Sequence, residues 1–189
     1  MTALTNEEVL QWCTERHLLF DRWQFLHFGP GSTVLEVPFP NVAHKAPPFA
    51  NLLCELLKGF SPFQSLLLWV KETGIFSDRW DEIGLRQLEL ERIALGERRS
   101  LSDSPGHLFH PKEELDVIGM SVLPMLYGWD AYLIPDSARL FAYISHDECV
   151  RVGFHDPALE PVLMEQCKMW NPQRRVVEFF SAEAGEPDI

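Results

Sequence analysis

The sequence has little of what zinc sites and the familiar catalytic motifs require. Its four cysteines are far apart along the chain and form no CxxC or Cys/His ligand pattern, so reduced, buried thiols are expected instead of a zinc site. None of the motifs GxSxG, HExxH, GxxxxGK[ST] and GxGxxG occurs, although these are the patterns that place nucleophiles, metals and phosphates. The sequence therefore predicts no metal, no cofactor and no catalytic residue.

Basic residues are scarce as well. The chain has 16 Lys and Arg against 28 Asp and Glu, a net charge of −12. Because phosphate contacts need clustered Lys and Arg, this balance disfavours nucleic acid as a ligand. Residues 101–189 carry 15 acidic and 6 basic side chains (−9), whereas residues 1–100 carry 13 and 10 (−3). An acidic half of this kind either serves solubility alone or steers a basic protein partner to the molecule.

Long apolar segments are also missing. The longest apolar runs, such as Leu66–Val70, are far shorter than the roughly 20 residues that a membrane-spanning helix needs. The first twelve residues have neither the basic segment nor the apolar stretch of a secretory signal. We therefore expect no membrane partner and a cytoplasmic location.

Length and composition favour one α+β domain. A single core can serve a chain of 189 residues of which 46% are hydrophobic. We expect the domain to span residues 1–182 and the acidic residues 183–189 to form a flexible tail. Start signals and apolar residues at helical spacing predict five helices. They are expected at Asn6–His17, Pro48–Gly59, Asp78–Leu95, Pro111–Pro124 and Pro157–Met169.

Four segments outside the helices are predicted to be strands. Arg22–Phe28 and Thr33–Val37 read as a hairpin that turns at Gly29–Gly31. Phe63–Val70 is ambiguous, because its start resembles a helix start and its end has the unbroken apolar character of a central strand. We interpret it as a strand. Val176–Phe180 is expected to be the last strand.

Residues 129–154 predict a three-stranded antiparallel meander that packs against several of the helices. Turn residues separate its three strands, and pairing Ile134 with Arg139 and Ser145 with Cys149 sets a register. In this register one face is entirely apolar. Its nine side chains are Trp129, Ala131, Leu133, Leu140, Ala142, Ile144, Val150, Val152 and Phe154.

The opposite face of the meander carries an aromatic cluster, Tyr132, Phe141 and Tyr143, beside Arg151. Two interpretations remain open. Another layer of the domain covers the rings, as large soluble domains usually do, or the rings and Arg151 form an exposed surface of the composition found at interface hot spots. In the second case these four residues are the predicted binding site.

Two His-Asp dipeptides flank the third strand of the meander. An extended strand rises about 3.3 Å per residue, so His146 and His155 should lie roughly 25–30 Å apart and cannot share one metal ion. Asp147 suits a tight turn, and Asp156 before Pro157 suits a helix N-cap. An alternative polar site would use His146 and Asp147 together with two histidines of the preceding loop, His107 and His110.

Three functions are compatible with these features of the sequence. The first is a non-catalytic interaction module, meaning an inhibitor, immunity-type or adaptor protein that binds a protein partner through an acidic or aromatic surface. The second is a small hydrolase or metal-dependent enzyme whose His and Asp residues converge only in the fold. The third is a subunit of a homo-oligomer in which Tyr132, Phe141 and Tyr143 form the contact. We favour the first.

Overall fold

A large antiparallel sheet organises the chain. The computed structural model describes residues 1–20, 25–29, 31–39, 43–60, 64–73 and 79–175. The strands are β1 Thr2–Leu4, β2 Leu19–Phe20, β3 Leu26–His27, β4 Thr33–Pro38, β5 Leu66–Glu72, β6 Gly106–Phe109, β7 Asp130–Pro135, β8 Leu140–Ser145, β9 Cys149–Phe154 and β10 Gln173–Arg175. The helices are α1 Asn6–Thr14, α2 Ala46–Phe60, α3 Arg79–Ala94, α4 Glu114–Tyr127 and α5 Glu160–Gln166.

Eight of these strands form one sheet in the order β1-β6-β5-β7-β8-β9-β4-β10, and each neighbouring pair is antiparallel. The short strands β2 and β3 pair separately. The predicted α+β domain with an antiparallel sheet is thereby confirmed. No helix in the described part of the chain is long and apolar enough to cross a membrane.

The meander has the predicted faces but not the predicted register throughout. Ser145 pairs with Cys149 as expected. Between β7 and β8, however, Leu133 pairs with Ala142, which is two residues away from the predicted pairing. Because a shift of two residues leaves each side chain on its face, all nine apolar side chains still lie in the main core.

Each face of the sheet is covered by a different layer. The main core joins the nine-residue face to α2, α4, Leu88 of α3 and Leu163 of α5. On the other side, α1 and the β2–β3 pair cover a second core that includes Trp69 and the meander rings. Since both faces are buried, the central strands carry apolar side chains in both directions.

Several local predictions are confirmed. Thr5 and Glu8 form a capping box, in which Glu8 N donates to Thr5 Oγ1 at 3.2 Å and Thr5 N donates to Glu8 Oε2 at 2.7 Å. The ambiguous segment is a strand, β5, from Leu66 to Glu72. Asp156 caps the turn that follows it by accepting from Ala158 N at 3.0 Å.

The predicted hairpin between Arg22–Phe28 and Thr33–Val37 is wrong. Instead, β3 pairs with β2, and β4 pairs with β9. Gly29 and Gly31 have φ angles of 91° and 86°, so the chain bends twice here in a region that favours glycine. Residues 21–24, the predicted strand Val176–Phe180 and the acidic tail lie outside the described residues.

Candidate functional site

The predicted aromatic binding surface is buried. The exposed fractions of Tyr132, Phe141 and Tyr143 are 1%, 4% and 3%. The N-terminal segment covers them: the Phe25 ring meets Tyr143 edge-on at 5.6 Å, and the Phe28 ring stacks on Phe141 at 5.4 Å. These three rings are core, as in the first of the two interpretations, so they are not available to contact a partner or another subunit.

A backbone hydrogen bond holds the β2–β3 pair against the buried rings. Leu26 N donates to the Tyr132 hydroxyl at 3.2 Å, which gives the buried phenol a partner. Tyr132 also stacks with Trp69 of the neighbouring β5, at 5.5 Å between ring centroids. A buried hydroxyl without such a partner would carry a desolvation penalty. The β2–β3 pair is therefore part of the domain and not a detachable flap.

Residues from both sites that were predicted from the sequence lie together at the β8–β9 turn. Arg151 belongs to the predicted aromatic surface, and His146 and Asp147 belong to the alternative polar site. We call Glu36, Asp130, His146, Asp147 and Arg151 the turn cluster. His146 and Asp147 lie in the turn itself, Arg151 is on β9, and Glu36 lies opposite it on β4. Asp130 begins β7. The antiparallel order of β7, β8, β9 and β4 brings these residues to one end of the sheet.

Asp130 is the buried centre of the turn cluster. Its Oδ1 accepts from the backbone amide of His146 at 3.0 Å and lies 2.9 Å from His146 Nδ1. Burial, followed by the negative charge of Asp130, raises the pKa of Tyr143 well above its usual value. Asp130 therefore orients the His146 ring and closes the turn over the end of β8.

Asp147 is an exposed carboxylate held by its neighbours. Arg151 Nη2 donates to Asp147 Oδ2 at 2.8 Å, and Ser145 Oγ donates to the same oxygen at 3.2 Å. The hydrogen bond from Arg151 lowers the pKa of Asp147. Arg151 Nε also donates to Glu36 Oε2 at 3.1 Å. Asp147 is therefore ionised and restrained, with His146 Nε2 3.6 Å from its other oxygen.

The turn cluster offers no activated nucleophile. Cys149 begins β9 beside the cluster, but burial raises the pKa of its thiol to about 11. Ser145 Oγ is buried and already donates to Asp147. Among the described residues, no group of three or more His, Cys, Asp or Glu side chains is arranged to hold a metal ion. Glu36 is paired with both Arg151 and Arg175, and Asp147, which is paired with Arg151, is the carboxylate that the cluster exposes to solvent.

His107 and His110 do not join this cluster. They lie on and just after β6, which β5 and β7 separate from β8. His110 is exposed, and its backbone amide donates to Glu113 Oε2 at 2.8 Å. The alternative site that combined these two histidines with His146 and Asp147 is therefore not formed.

His107 is buried in the core against α3. Neither ring nitrogen has a partner at hydrogen-bond geometry, although the carbonyls of Leu68 and Pro105 lie nearby. Burial, together with the nearby charge of Arg92, lowers the pKa of His107 to about 4. His107 is therefore neutral at physiological pH and has a structural place in the core.

Sequence reasoning did not select Glu36 or Asp130. Asp130 had a detectable signal, because it is a carboxylate at the start of an otherwise apolar strand. Glu36 had a weaker one, since it alternates with Leu35 and Val37, which point into the core. Its role depends on Arg151, which is 115 residues away in sequence.

Comparisons with family models, with curated proteins and with solved structures gave no match. The interpretation of the turn cluster therefore depends on its geometry and its charge.

Proposed function

We propose that the protein is a non-catalytic interaction module, of inhibitor, immunity or adaptor type, which binds a basic protein partner at the turn cluster. The observation that carries this proposal is the half-exposed carboxylate of Asp147, held at 2.8 Å by Arg151 and backed by Ser145. Glu148 is exposed at the next position, with a φ of 59°. A Lys or Arg of a partner would meet two adjacent carboxylates on a tight turn.

The fixed position of the Asp147 side chain should increase the affinity for a partner. A side chain that is already fixed loses little conformational entropy when a partner binds, so more of the interaction energy remains available. The acidic half of the chain, in which this turn lies, adds a long-range attraction for a basic partner. Both effects support a binding function and need no catalytic group.

The experiment compares capture by two charge-neutralised baits. The first bait carries Asp147→Asn with Glu148→Gln, and the control carries Asp103→Asn, which changes an exposed loop carboxylate outside the cluster. We expect the first bait to bind a captured partner at least about tenfold more weakly, with the loss growing smaller as salt is added. Equal binding by both baits, at unchanged melting temperature, would contradict the proposal.

A small hydrolase or metal-dependent enzyme is the second candidate. The observation in its favour is the orientation of His146 by the buried Asp130, the arrangement that prepares a histidine for proton transfer. Against it, the open cleft of about 760 Å³ between α3 and residues 100–105 contains none of the predicted site residues.

Model esters, phosphate esters and peptides test this second candidate. Turnover that His146→Gln removes and the exposed-residue control His110→Gln retains would support an enzyme. Turnover that is the same in both variants would count against it.

A further inference from the structure

The outward face of α3 carries three apolar side chains that the described part of the chain leaves about half exposed. Ile83, Leu90 and Ile93 are 48%, 54% and 52% exposed. The inward face of the same helix is already packed, because Gly84 lies against the Tyr127 ring and Leu88 is in the main core. A single exposed aliphatic residue is ordinary on a protein surface, but a stripe along one helix is the pattern of a helix-binding face.

The spacing of this stripe is symmetric. Ile83, Arg86, Leu90 and Ile93 follow one another at intervals of three, four and three residues. At about 100° per residue they fall within an arc of roughly 80°. When two such helices lie antiparallel, Ile83 of each meets Ile93 of the other, and Arg86 of each lies level with Leu90 of the other. The surface is therefore complementary to itself, as a twofold interface requires.

The charges of Arg86, which is within the stripe, and of Glu89, which is beside it, agree with this pairing. Arg86 is exposed and makes no ion pair or hydrogen bond within the residues that the structure describes. Glu89 lies on the same flank of α3 as Arg86. When two copies of α3 pack antiparallel, the same side of each helix faces that side of the other. Arg86 of each copy therefore reaches Glu89 of the other copy. Two equivalent ion pairs would then border the apolar contact.

We propose that α3 binds α3 of a second copy of this chain and forms an antiparallel homodimer. The oligomer contact predicted from the sequence, Tyr132, Phe141 and Tyr143, is core, so α3 is a different contact. The proposal goes beyond the interaction function, because a dimer carries two turn clusters. Two linked sites bind a partner with repeated basic segments more tightly than one site does.

Sedimentation of the full chain over a range of concentrations tests the dimer. We expect the wild type to dimerise and Leu90→Glu to raise the dissociation constant at least about tenfold, because it places a charge in the apolar contact. Leu115→Glu is the matched control, since Leu115 is also an exposed leucine but lies on α4. It should dimerise as the wild type does.

A charge exchange identifies the partner surface. Arg86→Glu and Glu89→Arg should each weaken self-association, because each places like charges together in the homodimer. An equimolar mixture of the two variants should dimerise again, since both ion pairs are restored with reversed partners. A wild type that stays monomeric throughout, a Leu90→Glu variant that dimerises normally, or a mixture that does not recover would overturn the proposal.

Discussion

Asp130 and His146 are joined by two hydrogen bonds that converge on a single carboxylate oxygen. The backbone amide of His146 is 3.0 Å from Asp130 Oδ1, and Nδ1 of its ring is 2.9 Å from the same atom. The first bond fixes the turn and the second fixes the ring. The start of β7 and the β8–β9 turn are therefore held together by one buried carboxylate.

Removing this carboxylate should destabilise the domain. Asp130→Ala leaves the backbone amide of His146 without its acceptor, and a buried donor without a partner costs about 1–3 kcal/mol. Urea denaturation should show a loss of that size in the free energy of unfolding. Asp130→Asn keeps an acceptor oxygen of the same shape and should lose less. Wild-type stability of the alanine variant would show that Asp130 does not hold the turn.

His107 should make the domain sensitive to mild acid. Its pKa is about 4 in the folded chain against an ordinary value of 6.5, so the unfolded chain binds a proton that the folded chain does not over this interval. Stability therefore falls as pH decreases from about 6.5 to 4, by on the order of 3 kcal/mol for this group. The difference in unfolding free energy between wild type and His107→Leu, measured at several pH values, isolates the effect. A difference that does not change with pH would contradict it.

Gly153 should tolerate no side chain while Phe141 is present. A Cβ at Gly153 would lie 2.4 Å from Phe141 Cζ, and such overpacking costs about 1–3 kcal/mol. Thermal or urea denaturation of Gly153→Ala should show this loss, and adding Phe141→Leu should recover part of it. Gly119→Ala is the control, because open space surrounds that position on α4. A neutral Gly153→Ala would mean that the ring is not packed there.

The four thiols should be inert in the native protein. All are buried, and burial raises the pKa values of Cys13 and Cys54 to about 12 and those of Cys149 and Cys167 to about 11. Since the thiolate is the reactive species, a disulfide reagent at neutral pH should label none of them quickly and should label all four in denaturant. Fast labelling of Cys149 in the native state would contradict this prediction and would make Cys149 a candidate nucleophile at the turn cluster.

The central sheet was largely predictable from local patterns. Alternation along the three strands placed nine apolar residues on one face, and the tight turn between Ser145 and Cys149 set the register of β8 and β9. For β7 and β8 two registers that differ by two residues give identical faces, so alternation could not choose between them. Pairing of β7 with β5 on its other side, Leu66 against Pro135, is a non-local constraint that no turn signal reveals.

The cover of the aromatic face was not predictable in the same way. The strands β2 and β3 have two residues each, which is too short to show a period. Their place over Tyr143 and Phe141 depends on contacts across more than 100 residues of sequence. The same holds for the turn cluster, where Glu36 and Arg151 meet only because β4 crosses to pair with β9.

The footprint of a captured partner tests the central claim most directly. Hydrogen exchange of the chain, with and without the partner, would report which backbone amides the partner protects. We expect new protection in residues 145–151 and in the facing part of β4, with little change at Leu26 and the rest of the aromatic cover. Protection that leaves residues 145–151 unchanged would contradict the assignment of the turn cluster as the binding surface.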